Sequence, residues 1–174
     1  MLPKPVSPYG VTKLAAEHLA VLYSKEFNVP TASLRYFTVY GPRQRPDMAF
    51  HKTIRSALTD NTFYVYGDGE QTRDFTYIDD IVDANIAAST AEENGLVVNV
   101  GGGSRVSLNS VLKEIDSIVG GRLKLEYQER QTGDARDTSA SIEAAAKSLG
   151  YNPKVSLSDG LRAEASWLEE LLSE

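Results

Sequence analysis

After Ser7, apolar residues recur at helical spacing for some twenty positions. Ser7 suits an N-cap and Pro8 the first helical position, and the pattern holds to about Phe27, where Asn28-Val29-Pro30 ends it. At about 100° per residue, Val11, Leu14, Ala15, His18 and Leu22 share one face, and Tyr9, Lys13, Ala16 and Ala20 share the opposite one. Only a narrow polar strip remains. Such a helix expects neighbours on both sides, whereas a chain that begins with it, behind an extended lead-in of Pro3 and Pro5, can cover one. The expectation is therefore a second subunit, or a preceding segment, lying against it.

Further along, residues 31–36 read as a buried strand that feeds an irregular loop, 41–47, and 48–59 has helical spacing. Residues 63–66 and 73–78 read as two strands around the Gly67-Asp68-Gly69 turn, and Asp79 or Asp80 then caps a helix that runs to about Ala91. A short buried strand at 96–100 ends in Gly101-Gly102-Gly103. A helix over 107–119 is closed by Gly120-Gly121, and 123–127 alternates like a strand. Two more helices follow, at 142–149 and 161–172, the last strongly amphipathic. Strands and helices alternate without repeats, so the fold class is α/β.

Composition narrows the function. The 174 residues suffice for one domain with a real core, and 24% charged against 41% hydrophobic residues argues for a folded chain. A net charge of −6, from 18 basic and 24 acidic residues, argues against a nucleic-acid surface, which needs clustered Lys and Arg. Without cysteine there is no disulfide framework or thiolate nucleophile. His18 and His51 are too few for an imidazole metal site, and no metal is expected. No apolar run reaches the roughly 20 residues of a membrane span, and Met1 to Pro5 lack a signal-peptide core. The expectation is a cytoplasmic protein that binds neither nucleic acid nor membrane.

Tyr9 and Lys13 stand one helical turn apart on an alanine-lined face. A cation beside a phenol favours the phenolate, which makes the tyrosine a usable base at neutral pH. The same spacing also occurs on ordinary solvated helices, so the pair by itself decides nothing.

Larger blocks surround it. Ser7-Pro8-Tyr9-Gly10-x-x-Lys13, Leu34-Arg35-Tyr36-Phe37-Thr38-Val39-Tyr40-Gly41-Pro42-Arg43 and the run from Tyr66-Gly67-Asp68-Gly69 through Arg73-Asp74 to Asp79-Asp80 together resemble the extended short-chain dehydrogenase/reductase family, and most of all its nucleotide-sugar epimerases and dehydratases. Asn99-Val100-Gly101 and Gly133-Asp134 resemble the later landmarks of that family, in the same order. A family member normally opens with a glycine-rich strand-turn-helix that holds the cofactor pyrophosphate. Here there is none, because a G-x-G-x-x-G frame begun at Gly101 meets Val106 at its third glycine position. The resemblance thus implies the C-terminal half of an epimerase: part of an NAD(P)-binding Rossmann-like sheet joined to a mixed α/β substrate-binding region. About 1–45 would contribute the Tyr-Lys helix and a sheet strand, and about 46–174 mainly the nucleotide-sugar site.

For the site, the resemblance implies NAD as a recycled cofactor and a UDP-sugar as substrate. Tyr9 would be the base at the sugar O4, and Lys13 would bind the nicotinamide ribose and support Tyr9. Tyr36, Phe37 and Val39 would lie along the nicotinamide, Arg73 would grip the diphosphate, and Asp134 would touch the nucleoside ribose. Many hexose epimerases carry Asn where this chain has Thr38. With Arg45 nearby to meet a C6 carboxylate, Thr38 points to a uronate 4-epimerase. A dehydratase, a decarboxylase or a non-catalytic binding module are the other readings. The isolated chain is expected to be inactive, and a homodimer is expected through the first helix.

Overall fold

The structure, a computed structural model, describes residues 3–103, 105–130 and 136–173. The first half of the chain forms α1 (Pro8–Phe27), β1 (Ala32–Tyr36), β2 (Val39–Tyr40), α2 (Ala49–Leu58), β3 (Thr62–Tyr66), β4 (Thr72–Asp74), β5 (Thr76–Tyr77) and α3 (Ile78–Ser89). The second half forms β6 (Leu96–Val100), β7 (Arg105–Ser107), α4 (Leu108–Ile118), β8 (Lys124–Gln128), α5 (Glu143–Leu149) and α6 (Leu157–Ser173).

Helix α1 begins and ends where its local chemistry requires. Ser7 Oγ accepts from the Gly10 N–H at 3.1 Å, and Asn28 closes the helix in the left-handed region at φ 53°, a conformation Asn tolerates better than most residues.

The strands pair two by two. β1 lies parallel to β6, with Ala32 opposite Leu96, and β2 lies parallel to β5. β3 is parallel to β8, while β4 and β7 are antiparallel. Both members of the β1–β6 pair end at the same edge, where the Phe37 N–H donates to the Val100 carbonyl at 3.1 Å. One residue later the Thr76 N–H donates to the Thr38 carbonyl at 2.9 Å, which passes the chain from the first pair to the second. The carboxyl ends of parallel strands are where α/β sheets take their ligands.

Two cores hold these pieces. Tyr40, Phe50, Ile54, Ile115, Leu161 and Leu168 gather β2, α2, α4 and α6 into one. Ile81, Val98, Val100 and Tyr151 join α3, β6 and the segment after α5 in the other. Removing such side chains from water stabilises by about 25 cal/mol per Å².

Four sequence expectations change. Residues 63–66 and 73–78 flank a turn as expected, yet they do not pair with each other, since β3 takes β8 and β4 takes β7. The second of them is also not one strand. It breaks at Phe75 into β4 and β5, and Ile78 already belongs to α3. The break coincides with buried Asp74, whose Oδ1 accepts from the Gly102 N–H at 2.7 Å, and a Cβ on Gly102 would collide with the Phe75 carbonyl. Neither Asp79 nor Asp80 caps α3. Tyr77 is the N-cap, and Asp80 turns inward to accept from the Lys154 and Val155 N–H groups at 3.0 and 3.4 Å. Finally, α6 begins four residues before the expected 161, where Ser156 Oγ accepts from the Asp159 N–H at 3.1 Å and donates to Asp159 Oδ2 at 2.6 Å. Gly160 is no breaker there. Its missing side chain lets the helix pack on the rings of Tyr40 and Tyr77.

Candidate active site

Tyr9, Lys13 and Glu17 follow one another at i, i+4 and i+8, so they form a single stripe along α1. Glu17 fixes that stripe against β1, since Arg35 donates from Nε and Nη2 to its two carboxylate oxygens at 2.6 Å each. The direct bond from Arg35 holds the Glu17 carboxyl below the usual carboxylate range, against a smaller opposing effect of burial. Thr31 Oγ adds a second tie, to the Ala20 carbonyl at 3.2 Å. With the helix so placed, Tyr9 and Lys13 line a groove of about 670 Å³ together with Ser33, Arg35 and Tyr36. The Lys13 ammonium stands 5.4 Å from the centre of the Tyr9 ring, within cation–π range, and Tyr9 is 71% exposed.

From this groove the chain leads through half-buried Phe37, Thr38 and Val39 into the 41–47 loop. Tyr36 Oη donates to Asn85 Oδ1 at 2.7 Å. Gln44 staples the loop from within: its Nε2 donates to the Val39 carbonyl at 2.9 Å, and its Oε1 accepts from the His51 N–H at 3.0 Å. Arg45 makes a two-pronged pair with Asp47 at 3.1 and 2.8 Å, in the open. Among the described residues, neither Arg45 nor Arg73 lines the Tyr9–Lys13 groove.

A second groove, of about 580 Å³, is lined by Asp47 from the end of that loop together with Lys52, Arg55, Tyr64 and Tyr66. Strand alternation explains the tyrosines: Phe63 and Val65 face the core, so Tyr64 and Tyr66 face out. Arg73 lies on β4, where its Nη1 donates to the Thr72 and Arg136 carbonyls at 2.9 and 3.0 Å. Arg105 lies on β7 opposite Asp74, and Arg136 lies beside Thr72; they meet Asp137 and Asp68 respectively, each at 3.4 Å. Asp134 lies outside the described residues, although the chain just after it is joined to β4 through Thr72 N–H to Arg136 O and Thr138 N–H to Thr72 O. Among the described residues no group of three or more His, Asp or Glu could hold a metal ion, and no helix is long and apolar enough to cross a membrane.

Sequence reasoning missed Lys52, Arg55 and Arg136. Lys52 and Arg55 sit three apart in a helix that the pattern does show, and Arg136 follows Asp134 by two, so each carried a local signal. It also missed Glu164, which carried none.

Residues 1–101 match the NAD dependent epimerase/dehydratase family. An uncharacterized UDP-glucose epimerase, YtcB of Bacillus subtilis, is 44% identical over 169 residues, which are 96% of this chain and 53% of that protein. A UDP-glucuronate 4-epimerase of Thermodesulfobacterium geofontis is 37% identical over 167 residues, 95% of this chain and 51% of its own. Among solved structures, the UDP-glucuronic acid 4-epimerase of Bacillus cereus, in complex with UDP-glucuronic acid and NAD, superposes with a TM-score of 0.93 at 47% identity, covering 98% of this chain and 55% of that one. The chain spans about half the length of these relatives.

Proposed function

The chain belongs to the NAD dependent epimerase/dehydratase family, and from that premise we propose that it supplies the Tyr-Lys pair and the nucleotide-sugar site of an NAD-dependent UDP-sugar 4-epimerase that prefers a uronate. The observation that carries the reading is the Tyr9–Lys13 stripe, pinned by Glu17 and Arg35 to β1, whose residues Ser33 to Tyr36 line the same groove. That groove suits the nicotinamide and ribose end of a dinucleotide: it is open, runs between α1 and β1, and is lined by an ammonium and a phenol. NAD, when bound, supplies reversible hydride chemistry at sugar C4.

Tyr9 takes the proton from O4 and returns it once the sugar has turned over. Lys13 holds the ribose hydroxyls, while Tyr36, Phe37 and Val39 form the wall along the nicotinamide. Arg73 and Asp134 hold the diphosphate and the nucleoside ribose, with Arg136 beside them. No G-x-G-x-x-G cradle occurs in the 174 residues, so these residues alone bind NAD weakly and do not turn over. Micromolar NAD affinity of this chain in calorimetric titration would contradict that. The exposed apolar residues of α1 make it the proposed homodimer face.

Sugar choice rests on Thr38 and Arg45. A C6 carboxylate recruits Arg45 from its solvent-exposed pair with Asp47 and gains a charge-assisted bond of roughly 1.5–3 kcal/mol, which a hydroxymethyl group does not. When these residues are joined behind a glycine-rich cofactor-binding half, UDP-glucuronate is preferred over UDP-glucose by roughly 10- to 100-fold in kcat/KM. Arg45→Ala removes most of that preference. Equal turnover of the two sugars by the wild type would return Arg45 to a surface role and favour a hexose epimerase.

A further inference from the structure

Glu164 is wholly buried in α6, at the junction with β2 and β5. Its Oε2 accepts from the Gly41 N–H at 2.9 Å, and its Oε1 has no partner among the described residues. The contrast with the other buried carboxylates is informative. Asp80 receives two backbone N–H groups, one on each oxygen, and Asp74 accepts from backbone amides at the Gly101–Gly103 turn. Among the described residues Glu164 has one donor, no ion pair, and an oxygen left over. A carboxyl with so little support is costly to keep charged.

The donor is also specific. Gly41 has φ 131°, and a Cβ there would collide with Ile78 and Tyr77, so only glycine fits and its N–H has a fixed direction. Gly41 opens the 41–47 loop, three residues after Thr38 and four before Arg45. We propose that Glu164 is a protonation-sensitive positioning residue, which through the Gly41 N–H sets the loop that carries Arg45 and follows Thr38. The link stands on this geometry, while its effect on substrate rests on the epimerase reading above.

Burial raises the Glu164 carboxyl to about 7, only partly offset by the Gly41 bond. Facing it are the phenols Tyr40 on β2 and Tyr77 on β5. Both phenols are raised above their ordinary range, chiefly by burial, and so stay neutral, and neither is a cation. Proton loss from Glu164 therefore leaves a buried charge supported by the Gly41 N–H alone, which alters how α6 packs against the loop. Since the folded value lies above the ordinary 4.5, the stabilisation is complete below that pH and is lost as pH rises through about 7.

The test is a pH titration by nuclear magnetic resonance of the 174-residue chain, following the Glu164 side-chain carboxyl carbon and the Gly41 amide. Both should shift together, with a midpoint within about a unit of 7. In E164Q, which keeps an acceptor for the Gly41 N–H, the amide should be flat between pH 5 and 8, and the loss of thermal stability across that range should vanish. A Glu164 titration near the ordinary carboxylate value, or a Gly41 amide in the wild type that ignores pH, would overturn the proposal. With the cofactor-binding half attached, KM for UDP-glucuronate should rise through pH 7 in the wild type and stay level in E164Q. A flat wild-type KM beside a titrating Gly41 would overturn the substrate consequence, and failure to bind any UDP-sugar would count against the epimerase reading alone.

Discussion

Helices α1 and α6 are the longest of the described chain, 20 and 17 residues, and they relate to the rest of the molecule in opposite ways. α6 concentrates its apolar residues on one stripe and buries Gly160, Leu161, Glu164, Ala165 and Leu168. α1 spreads them around its circumference and buries Ser24 alone, leaving Val11, Leu19, Leu22 and Phe27 at least 49% exposed. The first arrangement builds a core. The second presents a chemical stripe, Tyr9-Lys13-Glu17, toward β1 and leaves large apolar side chains exposed. Stability and candidate chemistry are thus carried by different helices.

The largest effect that would sharpen this contrast is chemical. With the cofactor-binding half attached, Tyr9→Phe should lower turnover by roughly 10²–10⁴-fold with substrate binding nearly intact, because it removes a proton acceptor and little volume. Lys13→Met should weaken both the rate and NAD affinity. Undiminished epimerisation by the Tyr9 variant would leave α1 without a chemical role.

Next comes the core. Leu161→Ala in α6 should destabilise this chain by about 2–5 kcal/mol in urea melts, since Leu161 is fully buried, whereas Leu22→Ala on α1 should stay within about 0.5 kcal/mol. Similar losses for the two would erase the contrast. Ser7→Ala should cost about 1 kcal/mol of local stability, seen as faster hydrogen exchange in the first turn of α1 only. The smallest effect on folding belongs to Leu22→Asp. It should leave the urea midpoint nearly unchanged and yet abolish self-association in sedimentation, and a variant that still dimerised would place the interface elsewhere.

Much of the fold could be read directly. Ser7, Pro8 and Asn28 set both ends of α1 through bonds that span three to five residues, and the runs at 31–36 and 96–100 contain the two strands that pair as β1 and β6. Tyr9 and Lys13 were visible as a pair because a helical turn is a fixed repeat. The start of α6 was hidden behind Gly160, whose meaning depends on two aromatic rings about 80 to 120 positions earlier in the chain. Arg45 could be named, but its pairing with Asp47 could not, because an exposed guanidinium can choose among several nearby carboxylates.

By itself, then, the sequence determined what local geometry controls: caps, helical stripes, strand runs and the α/β alternation. Only the tertiary structure decided which strands meet, sending β3 to β8 and β4 to β7 across long stretches of chain, and only it made Glu164 a buried, half-satisfied acid tied to Gly41. The reason is physical. Caps and turns are settled by groups within a few residues of one another, whereas strand partners and the surroundings of a buried carboxyl come from segments brought together by burial of apolar surface, a force without direction that leaves no mark at any one position.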